Sequence, residues 1–112
     1  MNEPLTLCLN DDSILVSRAV LEALDCPRQI QMMINDEQRM LLLQPCTVES
    51  QEAIVVRPDA EMQFEMSGHS LLKRVRRLTG WADNAPRVVF GNYISSHHAV
   101  VFDLSTAVPV GR

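Results

Sequence analysis

An order of short apolar segments occurs twice in this chain, and that long-period self-similarity limits the fold more than any single motif. Ile14–Ser17, a helix, Ile30–Ile34, a turn and Met40–Leu43 are followed by Phe64–Ser67, a helix, Val88–Phe90, a turn and Val100–Leu104. Repetition at such a period outranks local preference in deciding architecture. Neither run can cover its own apolar strand and helix faces, so the two are expected to pack on each other about a pseudo-twofold axis. The expected fold class is α+β, with two pseudo-symmetric strand-helix-strand-strand units in one compact domain. The units cover about residues 13–45 and 62–105, with a connector over 46–61, inside a single domain of residues 1–112.

The segments themselves follow from periodicity and punctuation. Leu5, Leu7 and Leu9 alternate and suggest an edge strand that ends at Asn10-Asp11-Asp12. Ser13–Val16 is short and apolar, as a buried strand is, and Ser17 can cap a helix over Arg18–Asp25. Pro27 stops that helix and biases Cys26 towards extended backbone. Gln29–Ile34 alternates, Asn35–Gln38 is turn-prone, and Arg39–Gln44 returns, so the three form a β-hairpin closed by Pro45. Thr47–Glu52 reads as a polar connector and Ala53–Arg57 as a strand. Gln63–Met66, Arg87–Phe90 and Ala99–Leu104 are further strands, Gly91–His98 a connection, and the Val108–Gly111 tail is expected to be loosely attached.

Ser67–Trp81 is the clearest helix. Ser67 or Ser70 can cap its start, and Gly80 suits the left-handed residue past its last turn. At about 100° per residue Leu71, Leu72, Val75 and Leu78 share one arc, and Lys73, Arg74, Arg76 and Arg77 the other. Four of the ten Lys and Arg residues thus fall on one helix face of a chain whose net charge is -4.

Composition narrows the function classes. With 46% apolar and 21% charged residues the chain is a folded soluble type. Its pI near 5.2 argues against binding nucleic acid through global charge, so such binding needs a local basic patch. Met1–Asn10 lacks a positive n-region, and no apolar run approaches the roughly 20 residues that span a bilayer. Cys8, Cys26 and Cys46 lack C-x-x-C spacing and are flanked by apolar residues or Pro. They read as reduced, buried thiols of a cytoplasmic protein.

Ile14–Pro45, I-L-V-S-R-A-V-L-E-A-L-D-C-P-R-Q-I-Q-M-M-I-N-D-E-Q-R-M-L-L-L-Q-P, resembles the repeating unit of AbrB/SpoVT-type swapped-hairpin domains. In that family a strand leads into a short helix, then a strand and a hairpin ending in I-x-L-x-P. The resemblance covers about a third of the chain, with a fainter second copy in Phe64–Leu104. It implies a small β-rich domain and DNA binding in transcription control. The chain departs from the family pattern where Ser17 replaces a Pro, where Arg28-Gln29 replace a Gly-Asp pair, and where Asp11, Asp12 and Ser13 stand in place of basic residues. An antiparallel sheet with helices on one face, similar to the TATA-binding-protein saddle, fits the same order of elements.

No catalytic motif emerges. His97 and His98 are neighbours that point to opposite sides of an extended segment and cannot chelate one ion together. His69 is remote from both, the carboxylates are scattered, and no glycine-rich phosphate loop or nucleophile elbow occurs. Trp81 is expected to pack the helix end onto the sheet. The expectation is a non-enzymatic binding module without cofactor or metal. Lys73, Arg74, Arg76 and Arg77 are its candidate nucleic-acid contacts. The alternative is a protein–protein or homo-oligomeric assembly module, in which the Met- and Leu-rich hairpin Ile30–Leu43 is donated to a partner or a second copy. Expected partners are therefore nucleic acid, an acidic protein surface or a homodimer mate, and not a membrane.

Overall fold

A computed structural model describes residues 3–46, 53–83 and 85–110. Among these, 42% of residues are in strands and 20% in helices. The elements are β1 (Thr6–Leu9), β2 (Ser13–Val16), α1 (Arg18–Ala23), β3 (Gln29–Asn35), β4 (Met40–Pro45), β5 (Ile54–Val55), β6 (Phe64–Ser67), α2 (His69–Thr79), β7 (Arg87–Ile94), β8 (Ala99–Asp103) and β9 (Val108–Pro109). Every pairing is antiparallel. The sheet order is β5-β3-β4-β8-β7-β1-β2-β6, with β9 on β7.

The strand β7 joins the two halves of that sheet. Its first half, Arg87–Phe90, pairs with β1, and its second half, Gly91–Ile94, pairs with β8 on the other side. A 3-10 turn, Leu104–Thr106, separates β8 from β9, so the chain that follows β8 tracks β7 through the change of partner. Gly91 sits at this change and faces Phe102 directly. A Cβ on Gly91 would lie 2.7 Å from two Phe102 ring carbons and 2.8 Å from a Val100 methyl. The missing side chain is thus the space that the fully buried Phe102 ring fills, which is how a glycine permits a tight bend at a barrel corner.

Bent in this way, the sheet curls into a half-barrel. Leu7, Leu9, Ile14, Val16, Ile30, Leu41, Leu43, Val89, Val100 and Phe102 point into it. The helices add Val20, Leu21, Leu72 and Val75 to the same core. Period-2 alternation explains the strands: Ile14 and Val16 are buried while Ser13 and Leu15 are half-exposed. Ser17 Oγ accepts from the Val20 amide at 3.4 Å and caps α1. Gly80, at φ 80°, closes α2 with its amide donating to the Arg76 carbonyl. Burying a Leu or Val side chain stabilises by about 1.5–3 kcal/mol. An exposed ion pair gives about 0–1, so Leu72 and Val75 hold α2 in place more than its charges do.

Several expectations are corrected. The fold class is not α+β in two packed units: the chain is a mostly antiparallel nine-stranded sheet among the described residues, with α2 the one helix of appreciable length. The two runs do not form separate bodies that pack together. Their strands interleave in one sheet, since β2 pairs with β6, β4 with β8, and β1 with β7. The saddle alternative is corrected by the same curl, which folds the sheet around its own core. β1 is not an edge strand, because it lies between β2 and β7. β7 runs on to Ile94, through residues expected to be a connection, because Gly91–Ile94 find β8 as a partner. The tail is attached where Val108 and Pro109 pair with β7. Neither Ser67 nor Ser70 caps α2: Ser67 is bound into β6, and Gly68 takes the cap position with no side-chain bond. Cys26 has φ 50° and is not extended. The expected connector Thr47–Glu52 lies outside the described residues.

Both long hairpins turn through four residues, 36–39 and 95–98, and both turns end on a left-handed non-glycine residue, Arg39 and His98.

The bend at Gly91 yields a stability prediction. Gly91→Ala is expected to cost about 1–3 kcal/mol, the usual penalty for overpacking a core. Adding Phe102→Leu to it should recover part of that cost. Urea unfolding of the four proteins in the double-mutant cycle measures the coupling.

Candidate interaction surface

The basic face of α2 is half engaged by the protein itself. Arg76 is largely buried, at 21% side-chain exposure. Its Nη2 donates to the Asn10 and Asp11 carbonyl oxygens at 2.9 and 2.8 Å, with the Asp11 carboxylate 3.8 Å away. It therefore pins the β1–β2 turn onto α2. The Gly68 amide strengthens the same junction by donating to the Asp12 carbonyl, and His69 Nδ1 lies 3.3 Å from the Asp12 carboxylate. Arg74 Nη2 donates to Asp36 Oδ1 at 2.8 Å and ties α2 to the β3–β4 turn. Lys73 and Arg77 are exposed and have no hydrogen-bond or ion-pair partner among the described residues. Of the four expected phosphate contacts, two remain unengaged.

The other singled-out residues resolve locally. Trp81 packs against the core, and the Arg87 guanidinium lies 4.5 Å from its ring centroid while pairing with Asp83 at 3.1 Å. Cys26 is exposed, contrary to the expected burial, because it follows α1 in the left-handed turn at Asp25–Cys26. Cys8 is half-buried, and burial, aided by Glu65, pushes its thiol above its ordinary value, so it is a poor nucleophile. Cys46 is half-buried at the end of β4. No group of three or more metal-ligating side chains occurs among the described residues, and no helix there is long and apolar enough to cross a membrane.

Two features carry no local signal in the sequence. The first is a polar clasp between distant loops. His98 Nδ1 lies 2.6 Å from the Tyr93 hydroxyl, and His98 Nε2 lies 3.5 Å from Asp25 Oδ2. With Nε2 protonated, the ring donates to Asp25 and accepts from Tyr93, and the β7–β8 turn is held to the loop after α1. The second is the outward face of β3, β4 and β8, which alternation and register define. Met33, Leu42 and Val101 form one cross-strand row. Gln31 and Gln44 form the next, with Gln31 Nε2 donating to Gln44 Oε1 at 3.0 Å. Asn35 and Met40 flank the other side. Asp103, at the far end of β8, carries the charge there, and the remaining outward positions of these strands are apolar or amide. Met33 is 44% exposed at the centre of the hairpin.

The split within the basic face can be measured. Arg76→Ala is expected to destabilise by about 1–3 kcal/mol, the range for hydrogen bonds made by a charged donor. Arg77→Ala should stay within about 0.5 kcal/mol of wild type, as exposed substitutions do. Chemical denaturation of both variants compares them directly.

No family model, no curated protein and no solved structure matches the chain.

Proposed function

We propose that this chain is a non-enzymatic assembly module that self-associates through the β3–β4 hairpin. The observation that carries the reading is the apolar row of Met33, Leu42 and Val101 on the outward face of that hairpin, flanked by Gln31, Gln44 and Asn35, with the carboxylates Asp36, Glu37 and Asp103 at the turn end of that face. Association surfaces are depleted of charge at their centre and polar at their rim, and contiguous exposed apolar residues mark contact sites. A chain of net charge -4 repels its own copies in general. An apolar row with its carboxylates at one end lets two copies meet at Met33 without burying an unpaired charge at the centre of the contact, which would cost several kcal/mol.

Binding of nucleic acid through α2 has less support. Each neutralised phosphate adds to affinity by releasing counterions, and among the described residues Lys73 and Arg77 are the two unengaged cations on that helix.

Light scattering should report a concentration-dependent dimer at low and high salt alike. Met33→Asp is expected to weaken that dimer at least about tenfold, since placing one charge in a desolvated contact costs more than ~1.4 kcal/mol. Its circular dichroism should match wild type. A monomer at the highest attainable concentration, together with a salt-sensitive mobility shift abolished by Lys73→Glu and Arg77→Glu, would overturn the assignment in favour of nucleic acid.

A further inference from the structure

Resting on the assembly reading, we infer that Met33 is an oxidation site whose sulfoxide takes the assembly apart, with a hydroperoxide as the oxidant. Three of the six methionines of the chain, Met32, Met33 and Met40, fall in the β3–β4 hairpin. Alternation turns Met32 away from the other two. Met33 opposes Leu42 and Asn35 opposes Met40, so the two outward thioethers stand diagonally across the strand pair. They share one groove with Leu42 and Val101. Met33 is 44% exposed, and Met40 beside it is half-buried. Among the described residues Met62 is the other exposed methionine, at 40%, and it lies outside that groove, beside Leu21 and Val56.

The sulfur lone pair of a thioether attacks one oxygen of a hydroperoxide. The O–O bond breaks, sulfur keeps that oxygen and is oxidised by two electrons, and the rest of the peroxide leaves as water or an alcohol. No thiolate is needed, so access to the sulfur governs the reaction. The unmodified thioether is flexible and polarisable and packs well on an apolar surface. Its sulfoxide is polar and accepts hydrogen bonds, whereas Leu42 and Val101 in the same row have no donor to give it. Burying a polar group without a partner is unfavourable, and a twofold contact would bury this one from both copies. The step is reversible. Methionine sulfoxide reductases return the thioether as two thiols close to a disulfide and the oxygen leaves as water.

Assembly and oxidation therefore oppose each other. Association covers Met33 and shields its sulfur, while a sulfoxide at that position favours the separate copies, as mass action requires. The exposed thiol of Cys26 lies in the loop after α1 rather than in the groove. Its oxidation to a disulfide or sulfenic acid is undone by thiols alone, which separates it from the methionine reaction.

Hydrogen peroxide applied to the full chain tests this. Catalase ends the reaction, and dithiothreitol then reverses thiol oxidation while leaving sulfoxides in place. Peptide mass spectrometry gives the oxidised fraction at Met33 and Met62, and light scattering gives the dimer. Oxidation at Met33 should slow at least about threefold as protein concentration rises through the dimer range, whereas Met62 should keep one rate. With Met33 fully oxidised the dimer should weaken at least about tenfold. It should recover after treatment with the two reductases, one for each sulfoxide epimer. Met33→Leu, a swap of similar volume, should stay dimeric through the same peroxide treatment. A protein fully oxidised at Met33 that dimerises as before overturns the switch and leaves assembly intact. So does a Met33→Leu dimer that peroxide dissociates as readily as wild type, since oxidation elsewhere is then responsible. A protein that is monomeric at all concentrations before peroxide overturns both.

Discussion

The packing of Phe102 against the backbone at Gly91 is the contact on which the architecture depends. β7 is the strand shared by the two halves of the sheet, and it can serve both only if it changes partner midway. The ring fills the position a side chain would take and so fixes where the change occurs. From that point Leu7 and Val89 on one side, and Leu41 and Val100 on the other, converge on one interior. An unbent sheet would leave one face of these residues in water. For a chain with few aromatics, one Phe placed at the corner contributes more than its area suggests.

The helices complete that interior and their charges secure the turns. Leu72 and Val75 anchor α2, and its arginines then reach outward to two turns that come from different strands. Arg76 satisfies two carbonyls of the β1–β2 turn, a use for which a guanidinium suits better than an ammonium, because its fork carries several donors in one plane. The cationic character of α2 in an acidic protein is in part a stitching device.

Much of the local structure was legible in the chain. The apolar arc of α2, its left-handed Gly80, the Ser17 cap, the alternation of β3 and the short apolar runs of β2 and β4 all follow from rules that act within a few residues. What was not legible depends on partners far along the chain. Nothing near Leu9 announces Arg87 as its neighbour, so β1 read as an edge. Gly91–Ile94 looked like a loop because Asn92 and Gly91 are poor strand formers, and pairing with β8 overrides that preference. The engagement of Arg76 was hidden for a different reason: its acceptors are backbone carbonyls, which every residue has. The clasp of Asp25, His98 and Tyr93 likewise joins loops that sequence separates widely. The mistaken fold class has the same root, since two strand-helix-strand-strand runs look like two bodies until their strands are seen to alternate in one sheet.

That interleaving bears on how the protein reaches its structure. The β3–β4 and β7–β8 hairpins are local and can form on the microsecond timescale typical of such units. β1 pairs with a strand about 80 residues later, and β2 with one about 50 later, so their closure waits until most of the chain is collected. Folding dominated by such distant pairings is slow, in the range of milliseconds to seconds. During synthesis the N-terminal strands would leave the ribosome long before β7 exists to receive them. The first half of the chain therefore has no finished state of its own, and its apolar strands depend on the last third for shelter.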